Sequence, residues 1–470
     1  MNYISTRGEA PAPGFEDVLL AGLARDGGLY LPEEWPVLAP EAIAALAGKP
    51  FAHVAAEVIY PFVGDAMSRA ELKAMADEAY AGFGHAAITP LIQIGPERWI
   101  LELFHGPTLA FKDVAMQLLA RLMDRALAKR KQRTTIVGAT SGDTGGAAIE
   151  AFRGSERVDV VILFPEGRVS DVQRRMMTTP TEANVHAVAV KGTFDDCQAL
   201  VKGMFNDHAF RDRNALSGVN SINWARIAGQ ITYYFVAAVA LGAPYRPVSF
   251  AVPTGNFGDI FAGYVAKRMG LPIERLVIAS NVNDILPRTL AGGAYEMREV
   301  VATSSPSMDI QISSNFERYL FEASGRDAAL ICDKMQTLRD AKRFDLGALK
   351  AQVGADFDAS AASEDDVADA IRSLREACGY LADPHTACGL VAAERRLGPG
   401  GAAAQVVLST AHPAKFPDSI AAITGERPTL PPRLVDLMIA PERITTVPND
   451  LAAVEAHVEE LTRVACEGRA

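Results

Sequence analysis

The apolar positions of the 470-residue chain change their spacing along its length, and the change divides it. Up to about Gly84, alanine-rich amphipathic pieces such as Pro40 to Ala47 and Ala66 to Tyr80 are separated by breakers at Gly27-Gly28, Pro32, Pro36, Pro40 and Pro50. That pattern predicts an α-rich domain over 1-89, with Tyr3 to Gly8 as a candidate first strand. After Pro90 short alternating or fully apolar runs appear. Trp99 to Leu103 predicts a strand, and a helix follows from Asp113 to about Arg130, with Val114, Leu118, Leu119, Leu122, Ala126 and Leu127 on one face and a basic last turn. Thr134 to Thr140, a glycine-rich loop, a helix from Ala147 and a strand from Val158 to Phe164 then form a βαβ unit, which builds parallel sheet.

The pattern recurs after a strand at Ala183 to Val190 and helices at Phe194 to Phe205 and Ser221 to Leu241. Val248 to Val252 runs into a second glycine loop, a helix ending near Met269, and a strand from Leu276 to Ala279. Two such units predict an α/β protein with two parallel-sheet domains, placed at 90-215 and 216-470, besides the α-rich N-terminal domain. The charged, proline-free stretch 326-375 is expected to be a helical insertion with a solvated face. A helix introduced by Asp383-Pro384-His385-Thr386 and an apolar strand from Gln405 to Thr410 complete the outline.

Composition narrows the chemistry without choosing it. With 49% hydrophobic and 22% charged residues the chain is ordinary for a soluble globular protein, and its longest apolar run, Ile231 to Ala243, is short for a membrane span. A formal net charge of -11 argues against nucleic acid or an anionic membrane as partner while permitting a local basic pocket. The five cysteines, Cys197, Cys332, Cys378, Cys388 and Cys466, have no paired spacing. That fits a reducing cytoplasm better than a disulfide framework, and no secretion signal is visible.

Lys112 stands where the loop His105 to Phe111 meets a helix. A cation there faces the positive end of the helix macrodipole, which favours loss of its proton. A lysine so tuned suits imine chemistry with a carbonyl or with pyridoxal phosphate, although a first-turn lysine is ordinarily a surface charge. Gly255-Asn256-Phe257-Gly258-Asp259, at a strand end and opening a helix, has the form of a phosphate cradle or of a plain tight turn. It is neither a P-loop nor a dinucleotide fingerprint. Ser141-Gly142-Asp143-Thr144-Gly145 is a second cradle, suited to a carboxylate, or else a capping cluster. His105, His385 and His412 lack metal-ligand spacing, and no serine nucleophile elbow occurs, so no metal is expected. A tuned lysine, two anion cradles and Thr410 at a strand end are together the parts that a pyridoxal phosphate enzyme needs.

The ordered series YISTRG, HGPTLAFKD, GATSGDTGGAA, VNSINWARI, VPTGNFGDI, QISSNFERYL, DPHTACG and STAHPAKF resembles the longer threonine synthases, within the fold type II (β-family) pyridoxal phosphate enzymes. The resemblance covers nearly the whole chain. It implies that Lys112, beside Phe111, carries the cofactor, that Gly255, Asn256, Phe257, Gly258 and Asp259 hold its phosphate, and that Thr410 bonds its ring nitrogen. Asp143 stands where many relatives have asparagine against the cofactor's 3-hydroxyl.

Ser141, Gly142 and Thr144 are expected at the substrate, with Arg226 and Lys415 as cations for its phosphate and Asn223, Ser314 and Asn315 as polar partners. The implied reaction converts O-phospho-L-homoserine and water to L-threonine and phosphate, in a monomer or homodimer. A related phospholyase or a serine/threonine dehydratase giving 2-oxobutyrate, and a non-catalytic anion binder, are the competing readings.

Overall fold

In the computed structural model, which describes residues 1–140, 142–218, 220–398 and 403–464, two parallel sheets carry the chain. The larger has six strands in the order Phe357–Ala361, Ile273–Ser280, Val248–Pro253, Ala404–Ser409, Arg98–Glu102 and Leu91–Gln93. Every neighbour pair in it is parallel except the last. The smaller has five strands, all parallel: Thr445–Pro448, Val185–Lys191, Val158–Pro165, Thr134–Ala139 and Leu216–Ser217. Val248–Pro253, Ala404–Ser409 and Val158–Pro165 are buried at every position, as strands covered by helices on both faces must be.

Sheet membership cuts across the expected division at residue 215. Leu91–Gln93 and Arg98–Glu102 lie in the larger sheet, because Arg98–Glu102 pairs in parallel register with Ala404–Ser409, while the late strand Thr445–Pro448 crosses back to the smaller one. The 326-375 stretch also does more than cover a surface. Three helices, Ala328–Ala341, Leu349–Asp356 and Glu364–Cys378, alternate with the strands Arg343–Asp345 and Phe357–Ala361. The second of these strands forms the edge of the larger sheet, burying Phe357, Ala359 and Ser360. Its charged flanking helices mask that apolar strand in the sequence.

At the N-terminus Tyr3–Ser5 pairs antiparallel with Tyr30–Pro32. The helices Phe51–Val63 and Arg69–Tyr80 pack on Trp224–Ala240 and Lys112–Arg130 respectively. A Ser68/Glu71 capping box starts the helix Arg69–Tyr80. The apolar positions of these segments join the main core, with Phe62 and Tyr3 meeting Trp224. The α-rich segment thus buttresses the long helices near the N-terminal ends that reach the site, with Tyr80 also donating to Val114 O at 3.1 Å. No helix of the described residues is long and apolar enough to cross a membrane.

Candidate active site

The helix Lys112–Arg130 begins at the lysine itself, with Phe111 at its N-cap. The preceding loop is laced to the end of the Ala404–Ser409 strand: Leu103 N–H donates to Ser409 O at 2.9 Å, Phe111 N–H to Thr410 O at 2.8 Å and His412 N–H to Leu109 O at 3.0 Å. Asp113 gathers the loop from inside, accepting from Thr108 N–H at 2.8 Å and Thr108 Oγ1 at 2.6 Å. Gly106 is required there, since a Cβ would lie 2.3 Å from that of Asp113. These bonds fix Lys112 beside Thr410 before any ligand enters.

Lys112 is 8% exposed. Its Nζ lies 3.4 Å from Asp143 Oδ2 and 4.7 Å from the centroid of the Phe111 ring. Burial lowers its proton affinity, Asp143 opposes the shift, and the nearby charges of Lys415 and Arg226 add to it. The direction is the one expected from a helix start, but burial is the leading cause.

Asp143, in the first turn of Asp143–Phe152, is the hub. Besides Lys112 it meets Lys415 Nζ at 2.5 Å, Gln173 Nε2 at 3.0 Å and Ser307 Oγ at 3.1 Å. Burial alone would raise its carboxyl, but the ammonium groups of Lys415 and Lys112 reverse that and hold it well below the usual carboxylate range. Gly142 takes φ +143°, and a Cβ there would lie 2.4 Å from the Gln173 amide carbon, so the loop closes on Asp143 only with glycine.

Two backbone donors of this cradle, Gly142 N–H and Gly145 N–H, already serve Thr140 Oγ1 at 2.9 and 3.0 Å. Thr144 is half-buried beside Asp143, and Ser141 lies outside the described residues.

The second loop is built differently. Phe257 adopts the left-handed conformation, φ +62°, at the N-cap of Gly258–Arg268 and buries its ring against Phe316 and Phe357. A phenylalanine in that conformation anchors the loop from below and leaves the backbone as its upper surface. Asn315 holds it too, donating to Asn256 O at 3.0 Å and Ser221 O at 3.1 Å. At Gly255 a Cβ would sit 2.8 Å from Ser307 O. Asp259 turns inward to accept from Tyr233 and Tyr234 hydroxyls at 2.6 and 2.9 Å, and burial pushes its carboxyl up to about 6.

Of the remaining expected residues, Arg226 and Lys415 converge on Lys112. Arg226 is buried, which pushes its guanidinium down to about 10, and Lys415, 1% exposed, also donates to Thr108 O at 2.8 Å. Asn223 instead spends its side chain on structure, donating to Leu19 O at 2.9 Å and capping Ala225 N–H at 3.0 Å. Ser314 lines a cavity of about 330 Å³ whose walls include Arg7, Tyr295 and Phe344 but not Lys112, Asp143 or Lys415. His412 packs edge-on against Phe104 and accepts from Ala414 N–H, with burial pushing it down to about 4, as a structural histidine. Sequence reading missed Gln173 and Ser307. Neither carries a motif, and each is brought to Asp143 from a distant stretch of chain.

The residues fit pyridoxal phosphate: Lys112 offers a buried amine, and the Gly255–Gly258 backbone, free of a Cβ at its tightest point, offers a phosphate seat. A buried lysine amine of lowered proton affinity, set in a two-sheet parallel scaffold where glycine loops close from both sides, places the chain in the fold type II class of pyridoxal phosphate enzymes. Residues 84–410 match the family described as pyridoxal-phosphate dependent enzyme, residues 2–80 threonine synthase N terminus, and residues 386–458 threonine synthase, C-terminal.

Threonine synthase of Pseudomonas aeruginosa is 49% identical over 98% of both chains. The pyridoxal-phosphate-bound threonine synthase structure from Brucella melitensis shares 59% identity with a TM-score of 0.96, covering 98% of this chain and 100% of that one. The yeast threonine synthase structure gives 38% and 0.93, over 98% of each chain. The chain belongs to the threonine synthase family.

Proposed function

We infer that this chain converts O-phospho-L-homoserine and water to L-threonine and phosphate with pyridoxal 5'-phosphate as cofactor. The observation that carries this reading is the end-to-end likeness to threonine synthases, together with a buried lysine of lowered proton affinity at the position the motif assigns. When bound, the cofactor supplies the electron sink that acidifies the substrate's α and β C–H bonds. Lys112 Nζ holds the cofactor and, once free, takes and returns protons at the substrate carbons. One base can serve both directions only if its two protonation states are close in energy, and burial beside Lys415 and Arg226 brings them closer.

Asp143 opposite Nζ steadies the ammonium form without trapping it, because Lys415 shares its charge. The backbone of Gly255 to Gly258 seats the cofactor phosphate, and Phe111 and Thr410 border the ring. Arg226 and Lys415 are the cations within reach of a substrate phosphate, with Thr144 and Gly142 on the carboxylate side. Asn315 acts through the loop it supports. Four cysteines among the described residues are unpaired, in keeping with a cytoplasmic protein, and the working unit is a monomer or homodimer.

Incubation of the purified protein with O-phospho-L-homoserine and cofactor is expected to release threonine and phosphate in equal amounts. Release of 2-oxobutyrate and ammonia in place of threonine would overturn the assignment in favour of a phospholyase.

A further inference from the structure

Behind Asp143 runs a line of hydrogen bonds whose far members never reach Lys112 themselves. It starts at Asp383, the fully buried N-cap of Pro384–Arg396, whose carboxylate accepts from His385 N–H at 2.9 Å and from Thr386 N–H at 3.3 Å, and also from the Thr386 hydroxyl. The Thr386 hydroxyl is in turn 2.8 Å from Ser409 Oγ, which ties the cap to the strand that ends at Thr410. The same Asp383 Oδ1 lies 2.8 Å from His385 Nδ1. On the other side of the ring, His385 Nε2 accepts from Ser307 N–H at 3.2 Å. A ring nitrogen that accepts an N–H carries no proton, so the proton sits on Nδ1 and points at Asp383.

His385 is 2% exposed and packs against Phe416, leaving its ring little freedom. It therefore fixes the short turn Pro306–Met308 in place. From that turn Ser307 Oγ–H donates to Asp143 Oδ2 at 3.1 Å, the same oxygen that faces Lys112 Nζ, while Ser307 O closes over Gly255.

We propose that Ser307 and His385 are positioning residues for the Lys112 amine. His385, oriented by Asp383, holds Ser307 so that its hydroxyl draws charge from the Asp143 oxygen opposite Nζ, which keeps that carboxylate from capturing the lysine proton. Building the turn against Gly255 lets one segment set both the charged cradle and the phosphate loop. This deepens the functional reading above and rests on Lys112 being the cofactor amine. Among the described residues, charged groups facing Lys112 come from four elements: Asp143, Lys415 in Pro413–Lys415, Arg226 in Trp224–Ala240 and Asp259 in Gly258–Arg268. Ser307 is the neutral donor that tempers the first of them.

The test is the pH profile of Lys112 in the cofactor-free full-length chain, read by formaldehyde and cyanoborohydride labelling with peptide mass spectrometry, beside a thermal melt. In Ser307→Ala, Asp143 Oδ2 turns wholly to Lys112, and the labelling midpoint is expected to rise by about one pH unit, a roughly tenfold slower rate below the midpoint. His385→Asn, which lacks an acceptor at the Nε2 position, moves the midpoint the same way. His385→Gln and Ser307→Thr, which restore the acceptor and the hydroxyl, bring it back. Midpoints in Ser307→Ala and in folded His385→Asn within about 0.2 unit of wild type would overturn the proposal. Should His385→Asn fail to fold, the half-buried Ser307→Ala decides alone. Wild type that is labelled elsewhere but not at Lys112 would overturn the functional reading instead.

Discussion

Asp143 and Asp259 occupy matching places, each in the first turn of a helix that follows a glycine loop at the end of a parallel strand, and both are 6% exposed. Their carboxyls are driven in opposite directions. Asp143 has two ammonium groups within 3.4 Å and is held well below the usual carboxylate range. Asp259 has two tyrosine hydroxyls, its Oδ2 has no hydrogen-bond partner among the described residues, and burial pushes it up to about 6.

Burial penalises an ionised carboxylate in both places, and phenol hydrogen bonds offset only part of it. Cations at contact distance overturn it. The molecule thus keeps one carboxylate firmly ionised, where protons move, and leaves the other a costly buried charge that takes up a proton near pH 6.

The contrast breaks most severely at Lys112. Lys112→Ala is expected to lower threonine formation on the order of 1,000-fold or more and to abolish the borohydride-sensitive visible band of the protein. A yellow, reducible Lys112→Ala protein would remove the amine from the centre of the comparison.

Next in size is Lys415→Met. Losing one cation of the buried cluster leaves Asp143 to Lys112 alone, so turnover is expected to fall about 100-fold and unfolding free energy by roughly 3–5 kcal/mol. The lower end applies because Lys112 remains. A melt and a rate at pH 8 check both, and an unchanged rate would show that Lys415 does not govern the charged cradle.

At the other carboxyl, Asp259→Asn sharpens the comparison through pH. A carboxyl raised in the folded state lends stability that is fully present below its unfolded value near 3.8 and lost as pH rises through about 6. The asparagine variant should therefore match wild type near pH 4 and gain on it toward pH 8, by at most about 3 kcal/mol for a shift of roughly two units. Denaturant melts across that range would refute the raised carboxyl if wild type gained instead. The smallest effect is expected for Gly255→Ala, whose Cβ would press on Ser307 O at 2.8 Å. A backbone shift of roughly 1–2 kcal/mol should weaken cofactor affinity about tenfold, read by absorbance titration, with the fold unchanged.

Much of this was legible in the order of residues. Period and breakers placed the strands Thr134–Ala139, Val158–Pro165 and Val248–Pro253 and the helices Asp143–Phe152, Phe194–Asn206 and Trp224–Ala240 within a few residues, while the short helices Asp171–Thr178, which carries Gln173, and His208–Arg213 went unread. Lys112 at a helix start and glycine loops at strand ends needed no structure to find. Asn223 shows where reading stopped: a cap and a ligand use the same amide, and only its contact with Leu19 assigns it. The cause of the Lys112 shift was likewise hidden, since a helix dipole can be read from neighbours in sequence whereas burial cannot.

Outside the 326-375 stretch the sequence by itself determined the type of the main elements, the two glycine loops and the lysine between loop and helix, because these depend on backbone propensity and side-chain spacing within a few residues. The tertiary structure alone decided that Arg98–Glu102 belongs to the larger sheet, that Lys415, Gln173 and Ser307 meet on Asp143, and that Asp259 faces tyrosines. Parallel strands join across long crossovers, and a carboxylate's charge state depends on whatever groups those crossovers bring within a few ångströms in the absence of water.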